Sequence, residues 1–280
     1  MHPADVTLVV PCYNVADTLP AALRAIDQLE PSPARVLCVD DGSTDGTTEL
    51  LRSQEIAEVI EHDTNSGLGV TLNTALAATE TPLFAKVDAD IVVPSDWLAN
   101  ALEAYHESNT AFVQGQFTEH QTTAADRWRA AYPSPTFPDE PRRNKPVNGG
   151  GILAETDALR AIDGYDEQFQ RAFDDIDVME RLLEAGYEIY YAPSVRATHI
   201  RTDTVREVLH TEWAYQNDPR RRGKPESLAD VVDRLPYHAY KSARCLYRDC
   251  RDRDPARLGI SLLRLPALVT YDLEHVRSTK

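Results

Sequence analysis

VTLVVP (6–11), RVLCVDD (35–41), EVIEHD (58–63) and LFAKVDAD (83–90) are short runs rich in β-branched and apolar residues. Between them lie TLPAALRAIDQLE (18–30), TTELLRSQ (47–54) and GVTLNTALAA (69–78), which read as helices. The alternation spells a βαβαβαβ unit. Nearly continuous apolar strands joined by crossover helices belong to a mostly parallel sheet covered on both faces. Such sheets bind ligands in the crevice outside the carboxyl ends of their strands. The polar residues fall at those ends. Tyr13 and Asn14 follow the first strand, Asp40 and Asp41 close the second, Asn65 and Gly67 follow the third, and Asp88 and Asp90 close the fourth.

Working outward, a helix is expected near 95–106, then the strand AFVQGQF (111–117) and an irregular Pro-rich run over 133–146. NGGG (148–151), a short helix, FDDIDV (173–178) leading into the helix MERLLEAG (179–186), and the strand YEIYYAP (187–193) follow. From about Thr202 the chain reads as helical, with basic patches.

The chain has 280 residues, enough for one elaborated α/β domain or a domain with an appendage. Its 45 acidic side chains against 29 basic ones give a net charge of −16, which repels phosphate backbones and argues against nucleic acid as a partner. Lysine occurs only at 86, 145, 224, 241 and 280. That bias fits a salt-rich, halophile-like cytoplasm and ordinary solubility equally well. Cys12, Cys38, Cys245 and Cys250 lack zinc spacing and read as buried reduced thiols. No basic leader or signal segment precedes Val6, so a cytoplasmic location is expected. The longest apolar stretch, 258–271, is broken by Arg264 and Pro266 and falls short of the roughly 20 residues a membrane span needs.

DDGSTDGT (40–47) offers two carboxylates, a tight turn at Gly42 and a cap at Ser43 or Asp45. One acid suffices for capping, so the second is read as meeting a base N–H or a ribose hydroxyl. KVDAD (86–90) spaces two carboxylates at i and i+2 where a buried strand ends, which aims both into the crevice. Oxygen ligands of this kind suit magnesium or manganese, which takes its remaining ligands from water and phosphates. Asp174, Asp175 and Asp177 stand at a helix N-terminus, where the macrodipole favours negative charge. Asp175 is the expected general base. Asp88, Asp90, Asp174 and Asp175 gathered in one cleft repel one another, which argues for a cation among them. His199, following the last core strand, reads as a structural hydrogen-bonder with a metal contact left open. Arg220, Arg221, Arg222 and Lys224 form a basic loop able to clamp a diphosphate.

Taken in order, VVPCYN, DDGSTDGT, NSGLGVTLN, DAD, NGGG and DDIDV resemble the family 2 glycosyltransferases of GT-A fold, over about Val6 to His199. The resemblance implies a central, mostly parallel sheet flanked by helices over residues 1–200, with a nucleotide-binding half (1–92) and an acceptor-side half (93–200). Residues 201–280 form a helical C-terminal extension. It implies that Pro11, Tyr13, Asn14, Asp40 and Asp41 hold base and ribose, with Asn65 and Asn73 shaping that side and Lys86 and Asp88 near the nucleotide sugar. It implies a divalent metal, Mn2+ or Mg2+, at the Asp88–Asp90 motif, with Asp90 on the ion directly and Asp88 toward the ribose and phosphates; His199, by its position alone, is left open as a metal or diphosphate contact. Gly149, Gly150, Gly151 and Asp174 border the acceptor, and Asp175 matches the catalytic base. The family's usual Glu-Asp pair is Asp174-Asp175 here, and Ala154-Glu155 stands where a basic residue is frequent, which puts acceptor contacts in doubt. The Gln-x-x-Arg-Trp motif of processive synthases is replaced by EWAYQNDPRRR, so the implied activity is transfer of one sugar from a nucleoside diphosphate, with inversion, to a glycan or polyprenyl-phosphate-linked saccharide, as in glycan biosynthesis and protein glycosylation.

Two rivals stand beside this: a non-catalytic nucleotide-sugar-binding or scaffold protein of the same fold, and a nucleotidyltransferase, whose Gly-rich basic loop VVPCYNVADTL lacks. For the C-terminal region two readings stay open. One is a helical flap completing the core, the other an amphipathic surface over 237–273 in peripheral contact with a membrane.

Overall fold

The computed structural model describes residues 2–132, 137–147, 151–168, 174–217 and 223–278. The chain divides into two compact units, residues 1–119 with 136–201, and residues 120–135 with 202–280.

The first unit opens with β1 (Val6–Cys12), α1 (Leu19–Asp27), β2 (Arg35–Asp40), α2 (Thr47–Arg52), β3 (Glu58–Glu61), α3 (Leu68–Ala78) and β4 (Leu83–Lys86). This is the alternation the sequence spells. β5 (Ile91–Val92), α4 (Trp97–Ser108) and β6 (Phe112–Glu119) follow, and α5 (Ala124–Ala131) falls to the second unit. The first unit resumes with β7 (Arg142–Arg143), β8 (Ile152–Glu155), α6 (Thr156–Ala161), α7 (Asp174–Glu184) and β9 (Ile189–His199).

β1 pairs in parallel with β2 and β4, and β2 with β3. Among the described residues the sheet holds nine strands in the order β3-β2-β1-β4-β8-β6-β9-β5, with β7 beside β9. Its second half is mixed. β8 runs antiparallel to β4 and β6, and β9 runs parallel to β6 and antiparallel to β5. The two-residue period of a strand sorts β1 between two apolar layers. Val6, Leu8, Val10 and Cys12 pack with Leu23 of α1 and Trp97 of α4, whereas Val9 joins Leu72 of α3 and Val178 of α7. Leu8 is wholly sealed, so truncating it to Ala costs about 2–5 kcal/mol.

Two boundaries differ from the sequence reading. The last strand does not stop at Pro193 but runs on to His199. The pairing of β6 with β9 skips between Gly115 and Gln116, and Pro193 falls in the skipped stretch, where a residue without an N–H is tolerated. The Pro-rich run read as irregular contains the short strand β7.

The second unit gathers α5 with α8 (Val205–Gln216), α9 (Leu228–Asp252) and α10 (Pro255–Ser278). Capping boxes start three of these helices, at Thr123/Asp126, Thr204/Glu207 and Ser227/Asp230. Trp128 of α5 packs with Val208, Leu209, Cys245 and Ile260, which is why residues 120–135 belong here. Much of the interior is polar. Trp128 Nε1 donates to Ser261 Oγ (2.8 Å), which donates to Asp249 Oδ2 (2.6 Å). Trp213 Nε1 donates to Asp272 Oδ1 (2.7 Å). Arg264, fully buried, donates to Ser242 Oγ (2.9 Å) and the His238 carbonyl (3.1 Å) and pairs with Glu212. Cys12, Cys38 and Cys245 are buried free thiols, whereas Cys250 is exposed, contrary to expectation.

Candidate active site

β4 ends at Lys86, whose side chain lies almost wholly out of solvent. Its ammonium sits 3.0 Å from Asp174 Oδ2, 3.2 Å from Asp175 Oδ1 and 3.3 Å from Asp88 Oδ1. Burial opposes the charge on Lys86, but Asp174, Asp175 and Asp88 outweigh it and raise its pKa well above the ordinary value. Burial pushes the Asp175 carboxyl upward, Lys86 pulls it down, and Asp174 and Asp88 push it up again, for a net rise. A carboxylate held this way binds a proton more strongly than an exposed one, which suits a general base. The acids stand at the first turn of α7, where the unpaired N–H groups favour them, and Asp177 is taken up by Arg181 (2.6 Å).

Beyond Lys86 the chain leaves the extended geometry that would aim Asp88 and Asp90 to one side. The Ile91 N–H donates to the Asp88 carbonyl (3.0 Å), closing a turn. Asp88 consequently turns to Lys86, while Asp90 Oδ2 lies 2.9 Å from His199 Nε2. His199 Nδ1 in turn lies 2.9 Å from Glu119 Oε2. The register explains this, since Ile91 and Glu119 both pair with His199 across the sheet. Burial opposes charge on both members of the Asp90–His199 pair. Their mutual attraction prevails, holding Asp90 at about 2 and, with Glu119, lifting His199 to about 9. The clustered acids thus meet two cations of the chain itself, so the expectation that their repulsion alone demands a metal is corrected. Among the described residues no three Asp, Glu, His or Cys side chains gather closely enough to hold an ion unaided.

On the nucleotide side, the loop after β1 is stapled to the turn after β2. Asn14, in the left-handed region at φ 51°, donates its N–H to Ser43 Oγ (2.9 Å), and its Oδ1 accepts from the Thr44 N–H (2.8 Å). Val15 and Ala16 donate to Thr47 Oγ1 (2.9 Å) and Asp45 Oδ2 (3.0 Å). Pro11 lies past the last β1–β4 partners, Val9 and Lys86, and Tyr13 presents its ring to solvent. Asp40 and Asp41 are buried rather than open. Asp40 accepts from the Ser43 and Thr48 hydroxyls. Asp41 takes His62 Nδ1 (2.8 Å) and the Ser66 (2.9 Å) and Gly67 (2.8 Å) N–H groups, so the loop before α3 accounts for the second acid without a ligand. Asn65 is exposed on that loop. Asn73 is occupied elsewhere: its amide accepts from the Tyr165 N–H (2.8 Å) and donates to the Tyr165 carbonyl (2.9 Å), bracing the segment ahead of α7.

On the acceptor side, Asn148, Gly149 and Gly150 lie outside the described residues, as do Arg220, Arg221 and Arg222; Lys224 is exposed. At Gly151 (φ 142°) an added Cβ would come within 3.0 Å of the Trp97 ring. Glu155 accepts from the Tyr105 hydroxyl (2.7 Å). Glu119 escapes a reading of the sequence. Its one signal is a carboxylate closing a strand, as Asp40 closes β2.

The profile of glycosyl transferase family 2 matches residues 7–158. The pre-mycofactocin glycosyltransferase of Mycobacterium tuberculosis (strain CDC 1551 / Oshkosh) is 27% identical over 81% of this chain and 50% of its own length. Glycosyltransferase AglE of Haloferax volcanii is 26% identical over 69% of this chain and 66% of its own. The chain thus spans about half the length of the first of these relatives. In three dimensions it is similar to the mannosyltransferase PcManGT from Pyrobaculum calidifontis, solved with GDP-Man and Mn2+, at a TM-score of 0.60 and 21% identity over 96% of this chain and 87% of that one. S. aureus TarS 1-349 with UDP-GlcNAc aligns at 0.53 and 20% identity, over 76% of this chain and 66% of that one. These likenesses establish the GT-A fold. With acids gathered beyond the ends of its strands and a profile match over more than half its length, the chain belongs to glycosyl transferase family 2.

Proposed function

We propose that this protein transfers a single sugar from a nucleoside-diphosphate sugar to an acceptor hydroxyl, with inversion at the anomeric carbon and with a divalent metal. The carrying observation is the meeting of Asp175 at the start of α7 with Lys86 and Asp88 at the end of β4. Asp175 accepts the proton of the acceptor hydroxyl as that oxygen bonds to the anomeric carbon, and the carbon–oxygen bond to the diphosphate breaks, its electron pair leaving with the phosphate. Lys86 holds Asp175 in place and offsets part of the rise that burial and Asp174 impose on its pKa. Tyr13 offers an open aromatic face to the base.

Asp90, Asp88 and a neutral His199 imidazole would hold Mn2+ or Mg2+ once a diphosphate supplies further ligands, Asp88 turns from Lys86 and His199 gives up the proton it shares with Asp90. Such an ion supplies neutralisation of charge on the departing diphosphate. PcManGT, a neighbour of the same fold, is described with GDP-Man and Mn2+, which supports the donor class and the metal. The acceptor class is a glycan or a polyprenyl-phosphate-linked saccharide.

The test is a thermal-shift screen of UDP-, GDP- and dTDP-sugars with and without manganese, followed by donor turnover in Asp90→Asn and Asp175→Asn. Asp175→Asn is expected to bind donor but turn over about 10²–10⁴-fold more slowly. Turnover at the parent rate would remove Asp175 from this role. A parent protein that binds a donor yet neither transfers nor hydrolyses it would favour the non-catalytic reading.

A further inference from the structure

We propose that the outer faces of α9 and α10 dock on an anionic lipid bilayer, lying in its interface rather than crossing it. This inference is independent of the sugar-transfer reading. Both helices bury polar side chains beside apolar ones such as Val231, Ile260, Leu268 and Val276. They turn Ser242, Asp249, Arg264 and Asp272 inward while large apolar side chains face solvent. On α9 the exposed set includes Leu228, Val232, Tyr240 and Tyr247, the last 72% exposed; on α10 it includes Leu262 (61%) and Leu263 (53%). A helix that satisfies its polar groups internally and leaves leucines in water gains nothing from that exposure unless something apolar covers it.

Charge identifies the cover. The stretch 237–251 carries Lys241, Arg244, Arg248 and Arg251 and one acid, the fully buried Asp249; Arg248 and Arg251 pair with the exposed Asp252 just beyond it, so Lys241 and Arg244 are the cations that matter here. Over 258–271 the one charged residue is Arg264, also fully buried. The exposed apolar side chains thus share these two helices with Lys241 and Arg244. Lys241 and Arg244 lie over the Tyr237 and Tyr240 rings (5.8 and 5.9 Å), the amphipathic pairing suited to a headgroup layer. A second copy of the chain fits less well, because a twofold interface would set these cations against their own copies. No helix among the described residues is long and apolar enough to cross a membrane, which leaves an in-plane arrangement for these two.

The full chain is tested by co-sedimentation with vesicles of phosphatidylglycerol in phosphatidylcholine, and with phosphatidylcholine alone. Binding is expected to the anionic vesicles, falling as salt rises. Lys241→Ser and Arg244→Ser should each weaken partitioning roughly 5-fold. Leu262→Glu with Leu263→Glu should abolish it with an unchanged thermal melt, since both side chains are exposed. The proposal is overturned if the parent stays in the supernatant, if it binds neutral vesicles equally, if the glutamate pair binds as well as the parent, or if light scattering reveals a dimer that the glutamate pair splits.

Discussion

His199 bridges two acids brought together by the sheet, with Asp90 on Nε2 and Glu119 on Nδ1, each at 2.9 Å. Because the imidazole is gripped at both nitrogens, its ring plane is fixed before any ligand arrives. Partners of this kind orient a metal-binding histidine and tune its basicity.

Glu119→Gln should therefore weaken the manganese dependence of donor binding by roughly 10–100-fold while leaving donor binding without metal intact. The readout is the manganese midpoint of the thermal shift in saturating nucleotide. An unmoved midpoint would exclude His199 from the metal.

Lys86→Met leaves Asp174 and Asp175 buried without their cation. Loss of one partner from a buried charged cluster costs about 3–5 kcal/mol. Urea denaturation should register a drop of that order, and adding Asp174→Asn to the variant should recover part of it by removing one stranded charge. A denaturation midpoint equal to the parent's would contradict the cluster's structural role.

Gly42 sits at φ 70°, and a Cβ there would fall 2.6 Å from the Thr64 carbonyl carbon. Gly42→Ala should destabilise by more than about 1 kcal/mol and loosen the loop that Asp41 holds at Ser66 and Gly67. Hydrogen exchange at Ser66 and Gly67 is the direct measurement: faster exchange is expected, and unchanged protection would refute the coupling of the two loops.

Asp126 supplies an acid-sensitive clasp in the second unit. Burial opposes its charge, but the N–H groups of Asp203 (3.0 Å) and Thr123 (2.8 Å) and the Thr122 hydroxyl (2.8 Å) overcome this and hold it at about 2. A depressed folded-state pKa stabilises at pH above the unfolded value, near 3.8, and that contribution is lost as pH falls towards 2. The loss amounts to about 2 kcal/mol. Melting temperature plotted against pH should fall more steeply over that window in the parent than in Asp126→Asn. Parallel curves would refute the assignment.

Much of the strand and helix order was legible because its signals are short-range. Apolar runs set the strands, helical spacing set the crossovers, and acids placed just after strands marked the ligand edge. Asp175 at a helix start and Asp88 beyond a strand needed no distant information. Less legible were side chains whose partners are remote in sequence. Asn73 carries the polarity of a ligand contact, yet its amide is spent on Tyr165, and Asp41 is spent on the loop before α3.

From sequence alone came the βαβ alternation and the acids just beyond the strand ends, since each depends on spacings of a few residues. Tertiary structure alone decided that Lys86 would neutralise Asp174 and Asp175, and that Glu119 would reach His199. It also decided that α9 and α10 would bury Asp249, Arg264 and Asp272. These pairings join residues some 80 to 90 positions apart. Strand order in the mixed half of the sheet sets them, and helix polarity is defined only by what a helix packs against, neither of which a local pattern encodes.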